Sequence, residues 1–498
     1  MCGGSTWQTG PGTSARSRAN EPSMADTANS DLKPAATHDD GPPPALLAFM
    51  VTQWAPRIGM PEPIEGREHF AARRAALSAK FPGDVLVVPT GHQKTRANDT
   101  EYRFRPGTDF YYLTGNVEPD CVLVMKPRAG GGHADTLYVE PNPGKTDATF
   151  FTDRVKGELW VGPRLGVPES AVRFGIESRA LPQLLDDMNV TDYRVLRGID
   201  LQLDAVLPAQ MERDVEFAAV LSELRLIKDN YEIAQIQAAV DATKNGFEDV
   251  VRSLPIAKTE RYVEGVFNLR ARVEGNDVGY NTIAASGRHA CILHWTSNDG
   301  DLQRDDLLLL DAGVEAHTLY TADVTRTIPV SGTFSREQRE IYELVFAAQE
   351  AGFAACRPGN DFMAPNAAAM DVLAHGLERL GILPMSAEEA LRETNQFYKR
   401  YSLHNVSHML GLDVHDCAQA RRETYKFGKL EAGMVLTVEP GLYFQPDDLT
   451  VPEKYRGIGV RIEDDVLITP GGYRNLSGNI PREASAVESW VHTLAKES

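Results

Sequence analysis

The apolar run Leu307-Leu-Leu-Leu310 ends in Asp311-Ala-Gly313, and a second apolar run, Met434-Val-Leu-Thr-Val438, ends in Glu439-Pro-Gly441. Short apolar runs of this kind are typical of buried β-strands. A carboxylate at the end of a buried strand is costly unless a positive group meets it. The repeated unit therefore predicts two similar αβ halves, related by a pseudo-twofold, that bring their acids to one site.

Each unit leads into a second strand-like run that has an acid of its own. Asp323 lies in Ala-Asp-Val-Thr-Arg-Thr-Ile, Glu463 lies in Gly-Val-Arg-Ile-Glu-Asp-Asp-Val-Leu-Ile, and His408 lies between the two units. One acid followed by x-Gly is common turn chemistry, but the paired second acids and the histidine favour a metal site. Four carboxylates balance two divalent cations, and adding one imidazole favours Mn, Fe, Co or Zn. Two such ions about 3.5 Å apart can share a nucleophilic hydroxide.

The composition argues against two kinds of partner. The 498 residues include 70 Asp and Glu against 51 Lys and Arg, a formal charge of −19. Because a phosphate backbone requires a basic face, nucleic acid is not an expected partner. The sequence has no run of about 18 apolar residues, so no membrane-spanning helix is expected. The five scattered cysteines lack a C-x-x-C pair and are typical of reduced thiols, which predicts a cytoplasmic protein.

Three regions follow one another along the chain. Residues 1–45 are rich in small and polar residues and predict a disordered tail, in which Met24 is an alternative start. Residues 46–225 predict an N-terminal α/β domain with a partly parallel sheet: a helix at 67–81 and strands at 84–88, 109–114, 121–125 and 136–139. Residues 226–498 predict the second domain, with helices at 230–253, 258–274, 335–355 and 366–380. The fold class is therefore α/β (α+β).

Two segments resemble known binding motifs but lack a residue that the motif requires. Pro143-Gly-Lys-Thr146 resembles the end of a phosphate-binding loop, but Val139 stands where that motif requires its first glycine. His404 and His408 have the spacing of a zinc-protease helix, but Asn405 replaces the glutamate that would act as the base. Neither a phosphate-binding loop nor a zinc-protease helix is therefore predicted.

Seven segments in order resemble the aminopeptidase P family, Xaa-Pro aminopeptidases that share a "pita-bread" fold with methionine aminopeptidase and prolidase. These segments are Tyr280-Asn-Thr-Ile, Cys291-Ile-Leu-His-Trp-Thr, Leu309-Leu-Asp-Ala-Gly, Ala322-Asp-Val-Thr-Arg-Thr, Ser407-His-Met-Leu-Gly-Leu-Asp-Val-His-Asp, Leu436-Thr-Val-Glu-Pro-Gly-Leu-Tyr and Gly459-Val-Arg-Ile-Glu-Asp-Asp. The N-terminal region also resembles the first domain of that family. The resemblance covers residues from about 70 to 498, and it implies a pita-bread catalytic domain over 226–498.

The resemblance implies a role for each matching residue. The metal ligands would be Asp311, Asp323, His408, Glu439 and Glu463, with Asp323 and Glu463 bridging both ions and Glu439 also assisting as base. His415 would stabilise the oxyanion, while His294 and His404 would line the proline pocket. Arg461, two residues before Glu463 and on the same strand face, would hold a carboxylate in place. Tyr443 would contact substrate or pack. The cofactor would be two divalent ions, Mn²⁺ first, with Co²⁺ or Zn²⁺ possible.

The implied activity is hydrolysis of the bond between the first residue and a proline at the second position of a peptide. The resemblance also implies a homo-oligomer, either a dimer or a tetramer. Prolidase, which cleaves only X-Pro dipeptides, shares the metal site and stays open as an alternative. A pita-bread protein that has lost its metals and serves as a binding module is a further alternative, although all five ligands are present here.

Overall fold

The computed structural model describes residues 41–57, 59–188 and 192–496. Most of the predicted tail, including Met24, lies outside the described residues, whereas Pro44 and Ala45 belong to a helix. The chain divides into two compact units. The described part of the smaller unit comprises residues 41–56, 93–103 and 144–162, and the remainder forms the larger unit. The predicted domain boundary after residue 225 stays a prediction, since both sides of it belong to the larger unit.

The five predicted helices begin and end within two residues of their expected bounds. The described residues form fifteen α-helices. They are α1 Pro44–Met50, α2 Arg67–Lys80, α3 Thr108–Thr114, α4 Thr149–Thr152, α5 Glu158–Val161, α6 Val167–Phe174, α7 Leu184–Asp187, α8 Leu201–Val206, α9 Met211–Leu224, α10 Asn230–Ser253, α11 Glu260–Glu274, α12 Arg336–Ala355, α13 Ala364–Arg379, α14 Ala387–Leu391 and α15 Ala484–Leu494. A capping box starts α12, in which the Ser335 hydroxyl accepts the Gln338 N–H and the Gln338 side chain accepts the Ser335 N–H. No helix among the described residues is long and apolar enough to cross a membrane.

The strands form several small sheets. They are β1 Val85–Pro89, β2 Thr95–Ala97, β3 Thr100–Glu101, β4 Val122–Pro127, β5 His133–Val139, β6 Glu177–Ala180, β7 Tyr193–Val195, β8 Asp277–Val278, β9 Ile283–Ser286, β10 Leu307–Ala312, β11 Val314–Glu315, β12 Val324–Pro329, β13 Val435–Val438, β14 Gly441–Tyr443, β15 Gly459–Arg461, β16 Asp464–Thr469 and β17 Gly472–Asn475.

The N-terminal sheet has the order β6-β5-β4-β1-β7. It is parallel at its two edges, between β5 and β6 and between β1 and β7, and antiparallel elsewhere. The partly parallel sheet is therefore confirmed. Every residue of β1 is buried, as expected for a central strand covered on both faces.

The strand predicted over 109–114 is wrong, because these residues form helix α3. The prediction followed the aromatic and β-branched composition of the segment, which favours strands only weakly. Phe110, Tyr111, Tyr112 and Leu113 are all buried, so tertiary packing overrides that propensity. Gly115 ends the helix in the left-handed conformation at φ 67°, the usual device for closing a helix.

Two three-stranded sheets carry the predicted acids. The first has the order β12-β10-β9 and the second β13-β16-β17, with antiparallel neighbours in both. Helices α10 to α13 surround a core in which Phe247, Phe267, Leu308 and Tyr342 are fully buried. The two strand-based halves predicted from the repeated unit are therefore present.

Candidate metal centre

A cavity of about 500 Å³ opens between the two acid-bearing sheets. Its lining includes nine of the ten predicted site residues, and the tenth, Tyr443, contacts two of them from behind. The nine are Asp311, Asp323, His294, His404, His408, His415, Glu439, Arg461 and Glu463. The structure thus brings together residues that lie up to 169 positions apart in the chain (294 to 463).

Strand register explains why the acids converge. Asp311 lies in β10 opposite Thr325 of β12, and Asp323 directly precedes β12, two residues from Thr325 and hence on the same face. In the second sheet Glu439 directly follows β13, and Glu463 directly precedes β16. Each sheet therefore delivers one acid from each of two adjacent strands.

The two aspartates share one hydroxyl. The Tyr280 hydroxyl lies 2.6 Å from Asp311 Oδ1 and 2.5 Å from Asp323 Oδ1. Arg461 donates from Nη2 to the other oxygen of Asp311 at 2.5 Å. Burial raises the pKa of Asp311 although Arg461 opposes the shift. The aspartate pair is thus held by donors on both sides.

The two glutamates have less support from hydrogen-bond donors. Thr325 donates to Glu463 Oε2 at 2.6 Å, while the Thr437 hydroxyl lies 3.5 Å from Glu439 Oε1. Burial, followed by repulsion from Asp323 and Glu439, raises the pKa of Glu463 well above its usual value. Burial also raises the pKa of Glu439 to about 7, against the attraction of His408. The protein alone thus leaves these carboxylates short of positive charge.

His408 presents one ring nitrogen to the acids. Its Nδ1 lies 3.1 Å from its neighbour's carbonyl, at Met409, so Nδ1–H donates there and Nε2 faces the carboxylates. Nε2 lies 3.3 Å from Asp323 Oδ2 and 3.5 Å from Glu439 Oε1. Burial lowers the pKa of His408, but the two acids outweigh it and raise the pKa to about 9. A backbone carbonyl that holds the remote nitrogen is the usual arrangement of a metal-binding histidine.

The donor set fits divalent cations. Ligand atoms of Asp323, His408 and Glu463 all lie within 4.8 Å of one another. Asp311 and Glu439 adjoin this group, and a cluster of three buried carboxylates with the partly buried Glu439 requires more positive charge than Arg461 and His408 carry. Carboxylate oxygens with one imidazole are the ligands of Mn, Fe, Co or Zn.

A hydrogen-bonded chain orients His404. Arg461 Nη1 donates to the Tyr443 hydroxyl at 3.0 Å, and that hydroxyl lies 2.7 Å from His404 Nε2. The Nδ1 atom of His404 lies 2.9 Å from the Asn405 carbonyl, so it donates there and Nε2 accepts from tyrosine. Burial, followed by the positive charge of Arg461, lowers the pKa of His404 to about 4. His404 is therefore neutral at physiological pH.

His294 and His415 are exposed on the cavity wall. The ring of His415 meets the ring of His408 edge-on at 4.3 Å between centroids. Partial desolvation at the cavity wall, followed by the charge of the neighbouring His408, lowers the pKa of His415. Both exposed histidines can reach a molecule in the cavity.

Two contributors were missed as site residues. Tyr280 appears in the sequence only as part of a Tyr-Asn-Thr-Ile segment, and no spacing relates it to the acids that it bonds. Asp465 is buried and accepts the Asp323 N–H at Oδ2, 3.1 Å away. Alternation along β16 was the one available signal, because Asp465 lies two residues from Glu463.

The comparisons with known proteins agree with this geometry. The chain matches the profile of metallopeptidase family M24 over residues 234–470 and that of the aminopeptidase P N-terminal domain over 70–189. It is 54% identical to Xaa-Pro aminopeptidase 1 of Streptomyces coelicolor, covering 87% of this chain and 89% of the relative. It is 32% identical to Xaa-Pro aminopeptidase of Escherichia coli, covering 86% and 99%.

A solved structure shares the fold. Aminopeptidase P from E. coli with the inhibitor Pro-Leu superposes with a TM-score of 0.77 at 31% identity, covering 87% of this chain and 100% of that one. The predicted fold class, an N-terminal α/β part followed by the catalytic fold of that enzyme, is confirmed.

Proposed function

Because the chain belongs to the aminopeptidase P group of metallopeptidase family M24, we propose that it hydrolyses the bond between the first residue and a proline at position two of a peptide. The observation that carries this proposal is the group of four acids and His408 beside a cavity lined by three further histidines. The first group fits metal ions, and the second can contact a peptide carbonyl.

The metal ligands in this proposal are Asp311, Asp323, His408, Glu439 and Glu463. When bound, two divalent ions would activate water and neutralise charge that develops on the attacked carbonyl oxygen. The donor set supports Mn²⁺ first, with Co²⁺ or Zn²⁺ as substitutes. Arg461 holds Asp311 in its ligand position through the contact at Oδ2.

Glu439 is proposed to move the proton. Its carboxylate adjoins both His404 and His408 and lines the cavity, so it can accept a proton from water and return it to the leaving group. In this role Glu439 takes the proton of the attacking water. It then delivers that proton to the proline nitrogen as the bond breaks.

The three histidines of the cavity wall are proposed to act on the substrate. His415 is exposed beside His408, so its N–H can donate to the carbonyl oxygen that becomes negative. His294 and His404 flank the proline ring, and the Tyr443–Arg461 chain sets the orientation of His404. The nitrogen of proline carries no hydrogen. The wall of the cavity that faces the proline therefore requires no hydrogen-bond acceptor for a backbone N–H.

Four further points stay proposals. The division into an N-terminal domain at 46–225 and a catalytic domain at 226–498 is supported by the separate family matches at 70–189 and 234–470. A cytoplasmic location is supported by Cys121, Cys291, Cys356 and Cys417, which are free and buried. The chain is proposed to form a homo-oligomer, either a dimer or a tetramer. The substrate is a peptide with proline at position two.

The test uses chelator-stripped protein titrated with Mn²⁺, Co²⁺ and Zn²⁺. We expect the tripeptide Arg-Pro-Pro to be cleaved after arginine once metal is added, while Arg-Ala-Pro, the matched substrate without proline at position two, is cleaved poorly. Turnover of the dipeptide Gly-Pro alone would identify a prolidase instead. Stoichiometric metal binding without hydrolysis of any X-Pro peptide would refute a peptidase function.

A further inference from the structure

The segment Ser407–Cys417, here called the histidine loop, carries His408 near its start and His415 near its end. Scattered backbone bonds define its shape: the Asp416 N–H donates to Met409 O at 2.9 Å, and the Leu410 N–H donates to Val435 O at 3.0 Å. The first of these bonds closes the loop on itself. The position of the Asp416 backbone therefore contributes to the separation between the two histidines.

The ring of His415 lacks a hydrogen bond within the described chain, although it packs against the ring of His408. His404 and His408, in contrast, are each fixed through a ring nitrogen. The direction in which His415 points therefore depends on its backbone and on its contact with the His408 ring. The adjacent residue, Asp416, is placed to hold that backbone.

Asp416 is buried, 2% exposed, and turned away from the cavity. Its Oδ1 accepts from Arg225 Nε at 3.0 Å and from the Cys417 N–H at 2.8 Å. Its Oδ2 accepts from Lys228 Nζ at 3.1 Å. Cys417 adopts φ 60°, a conformation that a side chain rarely accepts, and the Asp416 carboxylate holds its N–H in place.

The two cations come from the connection between α9 and α10. Arg225 and Lys228 are 4% and 3% exposed, and the Lys228 N–H donates to Gly433 O at 2.9 Å. Arg225 also contacts Asp109 of α3, so two cations meet two acids. Burial raises the pKa of Asp416, but Lys228 and Arg225 outweigh it and lower that pKa to about 2. The Asp416 carboxylate is therefore ionised whenever the protein is folded near neutral pH.

The loop leaves no space for this carboxylate to move. A Cβ on Gly411 would lie 2.2 Å from Asp416 Oδ2 and 3.0 Å from Lys228 Cε, so the acid and its cation press against the loop backbone. On the other side, Arg105 Nη2 donates to Leu412 O at 2.6 Å and Thr108 donates to Asp413 Oδ1 at 2.8 Å. The histidine loop is held from two sides by residues far from it in sequence.

We propose that Asp416, clamped by Lys228 and Arg225, is a positioning residue that aims His415 at the scissile carbonyl. The inference rests on the proposed function, in which His415 stabilises the oxyanion. The expected effect on the reaction rate is large, because displacing a catalytic group by about 1 Å can reduce the rate on the order of 100-fold. The clamp acts on orientation, since none of its members lines the cavity.

A double-mutant cycle tests the clamp on metal-saturated enzyme with Arg-Pro-Pro as substrate. We expect Asp416→Asn to lower kcat by about tenfold or more, with KM changed by less than about twofold, because the lost interaction matters only in the transition state. In the His415→Ala background the same substitution should lower kcat by less than about twofold. Equal losses in the two backgrounds would overturn the proposal.

A second variant and a matched control keep the result independent of folding defects. Lys228→Met removes one cation of the clamp and should reproduce the kcat loss. Arg194→Met removes a buried arginine of β7 that bonds Asp84 and Glu216 and does not touch the loop, so kcat should stay within about twofold of wild type. Similar kcat losses in all three variants would indicate general destabilisation and refute the clamp.

A spectroscopic measurement separates this inference from the proposed function. In protein with isotope-labelled histidine rings, the His415 resonance, assigned by its absence in His415→Gln, should move or broaden in Asp416→Asn and Lys228→Met but not in Arg194→Met. An unchanged resonance in the clamp variants would overturn the inference. A wild type that ignores X-Pro peptides would overturn the proposed function while this readout still tests the clamp.

Discussion

The two halves that supply the acids have the same plan but hold their carboxylates differently. In the first half, Asp311 and Asp323 share Tyr280, and Asp311 also receives Arg461. In the second half, the Thr437 hydroxyl is 3.5 Å from Glu439. All four acids are proposed metal ligands, but Glu439 has the weakest support from hydrogen-bond donors. This weaker support suits its proposed second role, the exchange of a proton.

The halves also brace each other. Arg461 of the second half contacts Asp311 of the first, whereas Thr325 of the first donates to Glu463 of the second. The Glu463 N–H further donates to Thr325 O at 3.1 Å. Neither half therefore completes its own acid positions, and damage to a donor in one half should appear at the acid of the other.

The largest expected effect is at Glu439. Glu439→Gln keeps the shape but removes a ligand charge and the proton acceptor, so kcat should fall by about 1000-fold or more with metal in excess. The measurement is steady-state hydrolysis of Arg-Pro-Pro. Glu431→Gln, an exposed glutamate just before β13, is the control and should stay within about twofold. A Glu439→Gln enzyme that keeps a tenth of wild-type kcat would contradict a proton-moving role.

Arg461 should come next. Arg461→Met removes the cation beside Asp311 and the donor to Tyr443, and we expect a loss of about 10- to 100-fold in metal affinity or kcat. Calorimetric titration with Mn²⁺ and steady-state kinetics separate the two. Arg461→Lys should restore only part of the loss, because an ammonium cannot reproduce the contacts with Asp311, Tyr443 and Thr325 together. Full restoration by lysine would mean that charge alone matters.

Thr325 tests the contact that runs from the first half to the second, in which its hydroxyl donates to Glu463. Thr325→Val deletes the donor to Glu463 while keeping the side-chain shape, and should weaken metal affinity by up to about tenfold. Thr327→Val is the matched variant on the same face of β12, since that hydroxyl donates to the backbone oxygen of Arg461 and not to an acid. Metal affinity reduced equally in both variants would show that the hydroxyl of Thr325 has no special part.

The smallest effect is expected in the stability of metal-free protein. The pKa of Glu439 is about 7 in the folded protein and 4.5 in the unfolded chain. The pKa of His408 is about 9 in the folded protein and 6.5 in the unfolded chain. Both bind more protons when folded, so stability falls as pH rises, through Glu439 between 4.5 and 7 and through His408 between 6.5 and 9. The melting temperature should therefore decrease across this range, and less steeply between pH 4.5 and 7 in Glu439→Gln. Identical slopes for the two proteins would refute a raised Glu439 pKa.

Sequence patterns predicted the features that depend on local strand and helix geometry. The ends of apolar runs located Asp311 and Glu439, and the periodic helical segments of the second domain located its long helices. Alternation indicated that Arg461 would hold a carboxylate, and the carboxylate that it contacts is Asp311. Helix α3, predicted as a strand, shows where such patterns mislead. Aromatic residues are common in buried segments of either kind, so their presence does not identify a strand.

The remaining features depend on contacts without a local signal. Tyr280 is 31 and 43 residues from the acids that it bonds. The Asp416 clamp joins residues 188 and 191 positions apart. No periodicity relates such pairs, because their proximity results from the packing of complete halves rather than from either segment.

The mutual bracing of the halves has a consequence for biosynthesis. Arg461 lies 150 residues after Asp311, and Glu463 lies 138 residues after Thr325. A ribosome that has produced only the first half exposes Asp311 and Asp323 without the residues that complete the site. Contacts of such long range also form late in folding. The nascent chain therefore stays inactive towards peptides until its last strands have emerged.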